Sequence, residues 1–192
     1  MELRSSYRDR AASRREILVK SLYLLRHAKA AAGEIGQDDH ARPLTGRGRR
    51  AADRIGEVLE QRGEPPDFVL CSSSRRTRET LERVLDRIKA RPRVLMESDL
   101  YLADCETLLA HVRTLPDDAS FAMLVGHNPG IADLADALVT RGSHEARQRL
   151  ARKFPTGALA VLHLDIARWA EAHQGAELAA FIVPRDLESD RG

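Results

Sequence analysis

The stretch SLYLLRHAK, Ser21 to Lys29, decides how the rest of the chain is read. Leu22, Tyr23, Leu24 and Leu25 make a short apolar run of strand-compatible residues, the pattern of a buried strand, and the run stops abruptly at Arg26 and His27. A cation and an imidazole therefore stand at the C-terminal end of a strand. In open α/β sheets ligands bind at that edge, so the pair sets a permanent positive charge beside a candidate nucleophile or acid/base.

Residues 30–44 are irregular and include Glu34, Asp38, Asp39, His40 and Arg42 before the sequence RPLT. Pro43 disfavours helix at Arg42. Thr45 is then placed to cap a helix with Ala52, Ile55, Val58 and Leu59 on one face and Gly63 as its stop. The helix start, Gly46 to Ala51, fits GxGxxA, but no apolar strand precedes it, and a dinucleotide-binding reading fails on that context. Asp67 to Leu70 reads as a second strand running into CSSSRRTRET, residues 71–80. The helix that follows has Leu81, Val84, Leu85 and Ile88 on its apolar face and ends before Pro92. Arginines at a helix start oppose its macrodipole, so anion binding explains them better than surface decoration. A cysteine-dependent phosphatase loop needs Arg six residues after its Cys; six after Cys71 stands Thr77.

Arg93 to Met96 is a third strand, and Asp104 caps a helix with Leu108, Leu109 and Val112 on its face. Phe121 to Val125 is a fourth strand, ending in GHNPG, where Asn128 is expected to cap and Pro129 to start a helix burying Ile131, Leu134 and Leu138. Ser143 to Lys153 reads as a shorter polar helix, and Ala158–Leu164 and Leu178–Val183 as two closing strands. This order predicts an α/β fold: a three-layer sandwich whose sheet is mostly parallel, with a C-terminal antiparallel pair.

The chain of 192 residues suits one domain, expected over 21–187, preceded by a basic arm, 1–20, that is frayed or a short surface helix. The arm holds six cationic residues against three anionic ones, and the remaining 172 residues hold 25 against 26. The body thus gives no compositional case for nucleic acid. No apolar h-region or membrane-length apolar run occurs, so a cytoplasmic protein without membrane contact is expected. Cys71 and Cys105 form no CxxC pair, and no histidine lies in HExxH, so neither disulfide nor zinc is expected.

Three strand ends supply Arg26 and His27, then Arg76, then His127, which converge on one sheet edge and suit a phosphoryl group. Here the chain resembles the histidine phosphatase superfamily, also called phosphoglycerate-mutase-like, and within it the phosphohistidine phosphatases of SixA type. The resemblance rests on LYLLRHAK, DDHARPLTGRG, LCSSSRRTRET, LVGHNPG, FPTGALAVL and VPRDL, over residues 21–187. Ser72, Arg76 and Thr80 meet the pattern Ser-x-x-x-Arg-x-x-x-Thr, which selects Arg76 over Arg75 and Arg78. The resemblance implies that neutral His27 attacks phosphorus to give a phosphohistidine enzyme, that Arg26 and Arg76 grip the phosphoryl oxygens, and that His127, if protonated, adds donors in the transition state. No metal or other cofactor is then expected. Larger members of the superfamily carry a Glu general acid in an inserted segment for which this chain has no room between Leu95 and Leu108. Asp39 is the implied substitute, with Glu97 and Glu106 as alternatives. The expected activity is hydrolysis of phosphohistidine on a partner protein by a monomeric enzyme. A phosphomonoesterase or mutase acting on small phosphate esters and a non-catalytic phosphate-binding module are the other readings.

Overall fold

In a computed structural model that describes residues 19–33 and 35–189, the elements follow the order β1 (Val19–Arg26), α1 (Gly46–Arg62), β2 (Phe68–Ser72), α2 (Arg75–Leu85), β3 (Arg93–Glu97), α3 (Cys105–Arg113), β4 (Phe121–Gly126), α4 (Gly130–Leu138), β5 (Val139–Gly142), α5 (His144–Arg152), β6 (Leu159–Asp165), β7 (Ala176–Ile182) and α6 (Asp186–Ser189). The sheet has seven strands in the order β3-β2-β4-β1-β6-β7-β5. Four of its six neighbouring pairs are parallel; β6 alone runs antiparallel to both its neighbours, β1 and β7. The expected α/β sandwich is therefore present, with the antiparallel element set beside the central strand.

β1 shows why its run is continuously apolar. Leu22 and Leu24 enter one core with Leu108, Val112, Ile131 and Leu134 from α3 and α4, while Tyr23 and Leu25 enter the other with Ile55, Leu59, Leu81 and Val84 from α1 and α2. Successive side chains point to opposite faces of a strand, and both faces here are covered by helices, so every position from Leu22 to Leu25 is buried among apolar side chains. On the second face Asp53 of α1 accepts from Arg83 of α2 at 2.5 Å and from Arg87, in the turn beyond α2, at 3.2 Å, tying the two helices together.

Several boundaries differ from the sequence reading. β1 begins at Val19, so Lys20 belongs to the sheet and not to an arm; it is buried because its ammonium donates to the carbonyls of Asp117 and Ala119 and lies 5.8 Å from the Trp169 ring. The remainder of the arm lies outside the described residues. α2 ends at Leu85, and Ile88 reaches the core from the turn beyond. Asn128 does not cap α4: Pro129 occupies the cap position, and the Asn128 amide donates instead to the Phe154 carbonyl at 3.3 Å. β5 was not expected at all. It is a four-residue edge strand held parallel to β7, the last strand of the chain.

Among the described residues no helix is long and apolar enough to cross a membrane.

Candidate active site

Two parallel neighbours, β1 and β4, end in register, with Arg26 opposite Gly126. The residues that follow, His27 and His127, are thereby brought side by side, their ring centroids 5.2 Å apart. β2, on the other side of β4, delivers Ser72 and the start of α2, where Ser74 caps the helix and Arg76 turns inward. The RHA turn is fastened to that helix: Thr80 Oγ1 accepts from the Ala28 amide at 3.0 Å and donates to the Arg76 carbonyl at 2.6 Å. Of the three arginines at this junction, Arg76 is 2% exposed, whereas Arg75 is exposed and paired with Glu79 and Arg78 is exposed.

Arg26, His27, Arg76 and His127 line a cavity of about 460 Å³ together with Lys29, Asp39, Arg42, Leu102, Asn128 and Thr156. His27 Nδ1 lies 2.8 Å from the Ala28 carbonyl. A carbonyl can only accept, so Nδ1 carries the proton and the lone pair is left on Nε2. Burial, reinforced by the charges of Arg76, Arg26 and Arg42, pushes His27 down to about 4 against the opposing pull of the Ala28 carbonyl. It is a neutral base over the working range.

His127 is fixed in the other tautomer. Arg76 Nη2 can only donate, so Nδ1, 3.4 Å away, accepts, and Nε2 donates to Ser72 Oγ at 2.9 Å. Burial, with His27 and Arg76 adding to it, lowers its pKa to about 3. In the resting site His127 is therefore neutral. A phosphoryl dianion beside it favours protonation, since an opposite charge nearby stabilises the charged form.

Asp39 sits on a 3-10 turn, Asp39–Ala41, at the mouth. Arg76 donates to its carbonyl at 2.7 Å and its carboxylate at 3.0 Å, Tyr101 donates to the same carboxylate oxygen at 2.6 Å, and Arg42 Nε stands 3.2 Å from the other. The Tyr101 hydroxyl first, then the Arg76 and Arg42 guanidiniums, hold this carboxyl below its ordinary range against the cost of desolvation. That direction opposes a proton donor in the resting state. Glu97 ends β3 and Glu106 lies in the first turn of α3; neither lines the cavity.

Tyr101, Arg42 and Leu102 escaped the sequence reading. Tyr101 lies edge-on to His127 and His40 with centroids 5.3 and 4.9 Å away, and Arg76 stands 5.6 Å from its ring. Leu102, which follows it, holds a φ of 52° and is half exposed at the cavity mouth. A left-handed, non-glycine residue at a cavity is a mark of functional strain, but it is invisible in sequence.

Packing accounts for one of the two glycines of the rejected dinucleotide motif, Gly48. A Cβ there would lie 2.2 Å from the Lys29 carbonyl, so only glycine lets α1 approach the turn beyond His27. Cys71 is buried, and burial pushes its thiol up to about 12, the opposite of an activated nucleophile. Among the described residues no group of three His, Cys, Asp or Glu side chains is placed to hold a metal.

An α/β protein whose sheet edge gathers three arginines and two neutral histidines into one cavity has a site suited to an oxyanion. The family model of the histidine phosphatase superfamily (branch 1) matches residues 22–174. An uncharacterized protein of Mycobacterium leprae is 37% identical over 166 residues, which are 84% of this chain and the whole of that one. Among solved structures, a candidate phosphohistidine phosphatase SixA from Nakamurella multipartitia is 36% identical with a TM-score of 0.74, covering 86% of this chain and 96% of that one. A candidate SixA from Agrobacterium tumefaciens is 30% identical with a TM-score of 0.72, covering 86% and 99%. The chain belongs to the histidine phosphatase superfamily, and this membership with its SixA-like neighbours supports phosphatase activity.

Proposed function

We propose that this protein hydrolyses phosphohistidine on a partner protein, without a metal, through a phosphohistidine formed on His27. The observation that carries this reading is the state of the carboxyl groups. Among the described residues lining the cavity, Asp39 is the sole carboxyl group, and it is held ionised. Expelling an alkoxide calls for a positioned acid, an effect of roughly 10²- to 10⁴-fold in rate. An imidazole protonated on its second nitrogen leaves as a neutral ring and makes no such demand.

In the first step the lone pair on His27 Nε2 forms the bond to phosphorus while the bond to the substrate imidazole breaks, its electron pair staying with the departing nitrogen. Arg26 and Arg76 suit the equatorial oxygens, since a guanidinium stays charged and donates through a planar fork. Buried Nε atoms of both arginines have no partner among the described residues, leaving donors in reserve. The phosphoryl group replaces Asp39 on Arg76, and His127 takes up a proton on Nδ1 as negative charge enters. In the second step water attacks phosphorus, the ionised Asp39 receives its proton, and His27 departs. The Ala28 carbonyl that holds the proton on His27 Nδ1 makes both steps alike: His27, too, leaves as a neutral ring.

The test is kcat/KM for a phosphohistidine peptide against a simple alkyl phosphate. A ratio of at least about 10² is expected, the lower end of the acid-catalysis range. Equal values would give first place to the phosphomonoesterase reading.

A further inference from the structure

A second cavity, of about 480 Å³, adjoins the catalytic one and shares Lys29 and Thr156 with it. A ligand anchored by its phosphoryl group thus has the second cavity directly beside it. The walls come from the start of α1, from Pro155 and Thr156, and from the segment after β7 that ends in Arg185. The first two are fastened to the strand end that bears His27, and the third packs on the second. The Gly157 amide donates to the carbonyls of Arg26 and His27 at 3.1 and 3.0 Å, and the Thr45 amide and hydroxyl both donate to the Lys29 carbonyl at 2.9 and 3.0 Å. Gly157, at a φ of 76°, lets Pro184 close on it, since a Cβ there would already lie 3.1 Å from the proline ring. The groove is preformed, so binding in it costs little ordering.

Its chemistry is one-sided. Ala51, Pro155, Val183 and Pro184 supply apolar surface, and exposed Lys29, Arg47 and Arg185 supply charge, with no carboxylate among the residues that line it. Lys29 and Arg47 have no ion-pair partner among the described residues, and Arg185 has only a surface contact, 3.5 Å, to Asp186. A small phosphate ester would fill the catalytic cavity and leave all of this unused.

We propose that the groove docks an acidic segment flanking the phosphohistidine of a protein substrate, its carboxylates on Arg47 and Arg185 and its small apolar side chains on Pro184 and Ala51. This assignment rests on the phosphohistidine phosphatase reading above and adds the partner's chemistry to it.

The experiment uses the full chain and three synthetic phosphohistidine peptides of equal length whose flanking residues are Glu, Gln or Lys. In the wild type, kcat/KM for the Glu peptide should exceed that for the Gln peptide by about tenfold, the scale of two exposed ion pairs, with the difference in KM. The preference should fade as salt is raised. Arg47→Gln/Arg185→Gln should reduce it to within about twofold while free phosphohistidine turns over at the wild-type rate. Equal KM values for the three peptides, or a full preference kept by the double variant, would overturn the docking assignment. So would a change in oligomeric state without a change in preference, which would make the groove a contact between copies. If no phosphohistidine substrate turns over but an alkyl phosphate does, the activity reading fails instead. Fluorescence anisotropy with the unphosphorylated Glu and Gln peptides then decides the groove alone: tighter Glu binding lost in the double variant supports it, and equal binding removes it.

Discussion

On the floor of the candidate site's cavity, Arg76 and His127 are each 2% exposed, and His127 is bonded to Ser72. On its rim, Asp39 keeps 51% of its side chain in solvent and is held by other rim groups, Tyr101 and Arg42, as much as by the floor. The floor is set by the sheet and cannot yield without disturbing β1, β2 and β4. The rim hangs from a three-residue 3-10 turn and from the loop after β3, so it can rearrange around a ligand at small cost. Preorganised charge belongs on the floor, where a transition state needs it fixed. The exchange of partners that admits and releases phosphate belongs on the rim.

The largest effect should come from breaking the floor. His27→Asn is expected to lower kcat/KM by at least about 10⁴-fold with the fold intact, as for loss of a nucleophile. Rapid quench of the wild type should trap acid-labile, base-stable phosphate, and label on serine or Cys71 would remove His27 from the role.

Next, Arg76→Ala should cost about 10²- to 10³-fold, the scale of a lost oxyanion donor, while Arg75→Ala, one residue away but exposed and paired with Glu79, should stay within about twofold. Equal losses in the two would erase the distinction between a buried and an exposed cation at this helix start.

The third concerns acid stability. In the unfolded chain both floor histidines bind protons as pH falls below 6.5, but in the folded chain only near 4 for His27 and 3 for His127. The unfolded state thus takes up more protons between these limits, and stability falls as pH is lowered from 7 to 5, by about 2 kcal/mol for each histidine. Saturating inorganic phosphate, adding negative charge against the combined field of Arg26, Arg42 and Arg76, should shrink that loss. Calorimetric melting of the wild type and His27→Asn at both pH values measures it, and identical acid slopes would place the proton uptake elsewhere.

The smallest effect tests the rim. Tyr101→Phe removes the main cause of the low Asp39 pKa, so the carboxyl should titrate closer to its ordinary range by carbon NMR while kcat/KM stays within about threefold. An unchanged titration would show that the guanidiniums alone hold the charge.

The same division governs what the sequence discloses. Arg26, His27 and His127 follow apolar runs whose ends can be read directly, and Arg76 follows from a fixed spacing within one helix start. Local pattern and tertiary position coincide there. Tyr101 has neither periodicity nor a motif; its place beside His127 depends on how the loop after β3 folds back across the sheet edge. β5 is four residues with a glycine, and its partner β7 lies far along the chain. Lys20 reads as a surface cation because nothing in its neighbours announces the two carbonyls, about a hundred residues away, that receive it.

The clamp of Asp39 on Arg76 bears on a problem of surroundings. Free phosphate carries the same group as the substrate's reactive end, and an open cradle of arginines would fill with it. Here an anion that takes the Asp39-facing donors of Arg76 must first displace a carboxylate, and its apparent affinity there falls with the fraction of molecules in which the clamp is open. A phosphorylated protein docked in the groove as proposed would recover that loss through contacts beyond the cavity, while free phosphate has nothing further to offer. On the proposed mechanism the resting site would discriminate against its own product, and turnover would continue where inorganic phosphate is abundant.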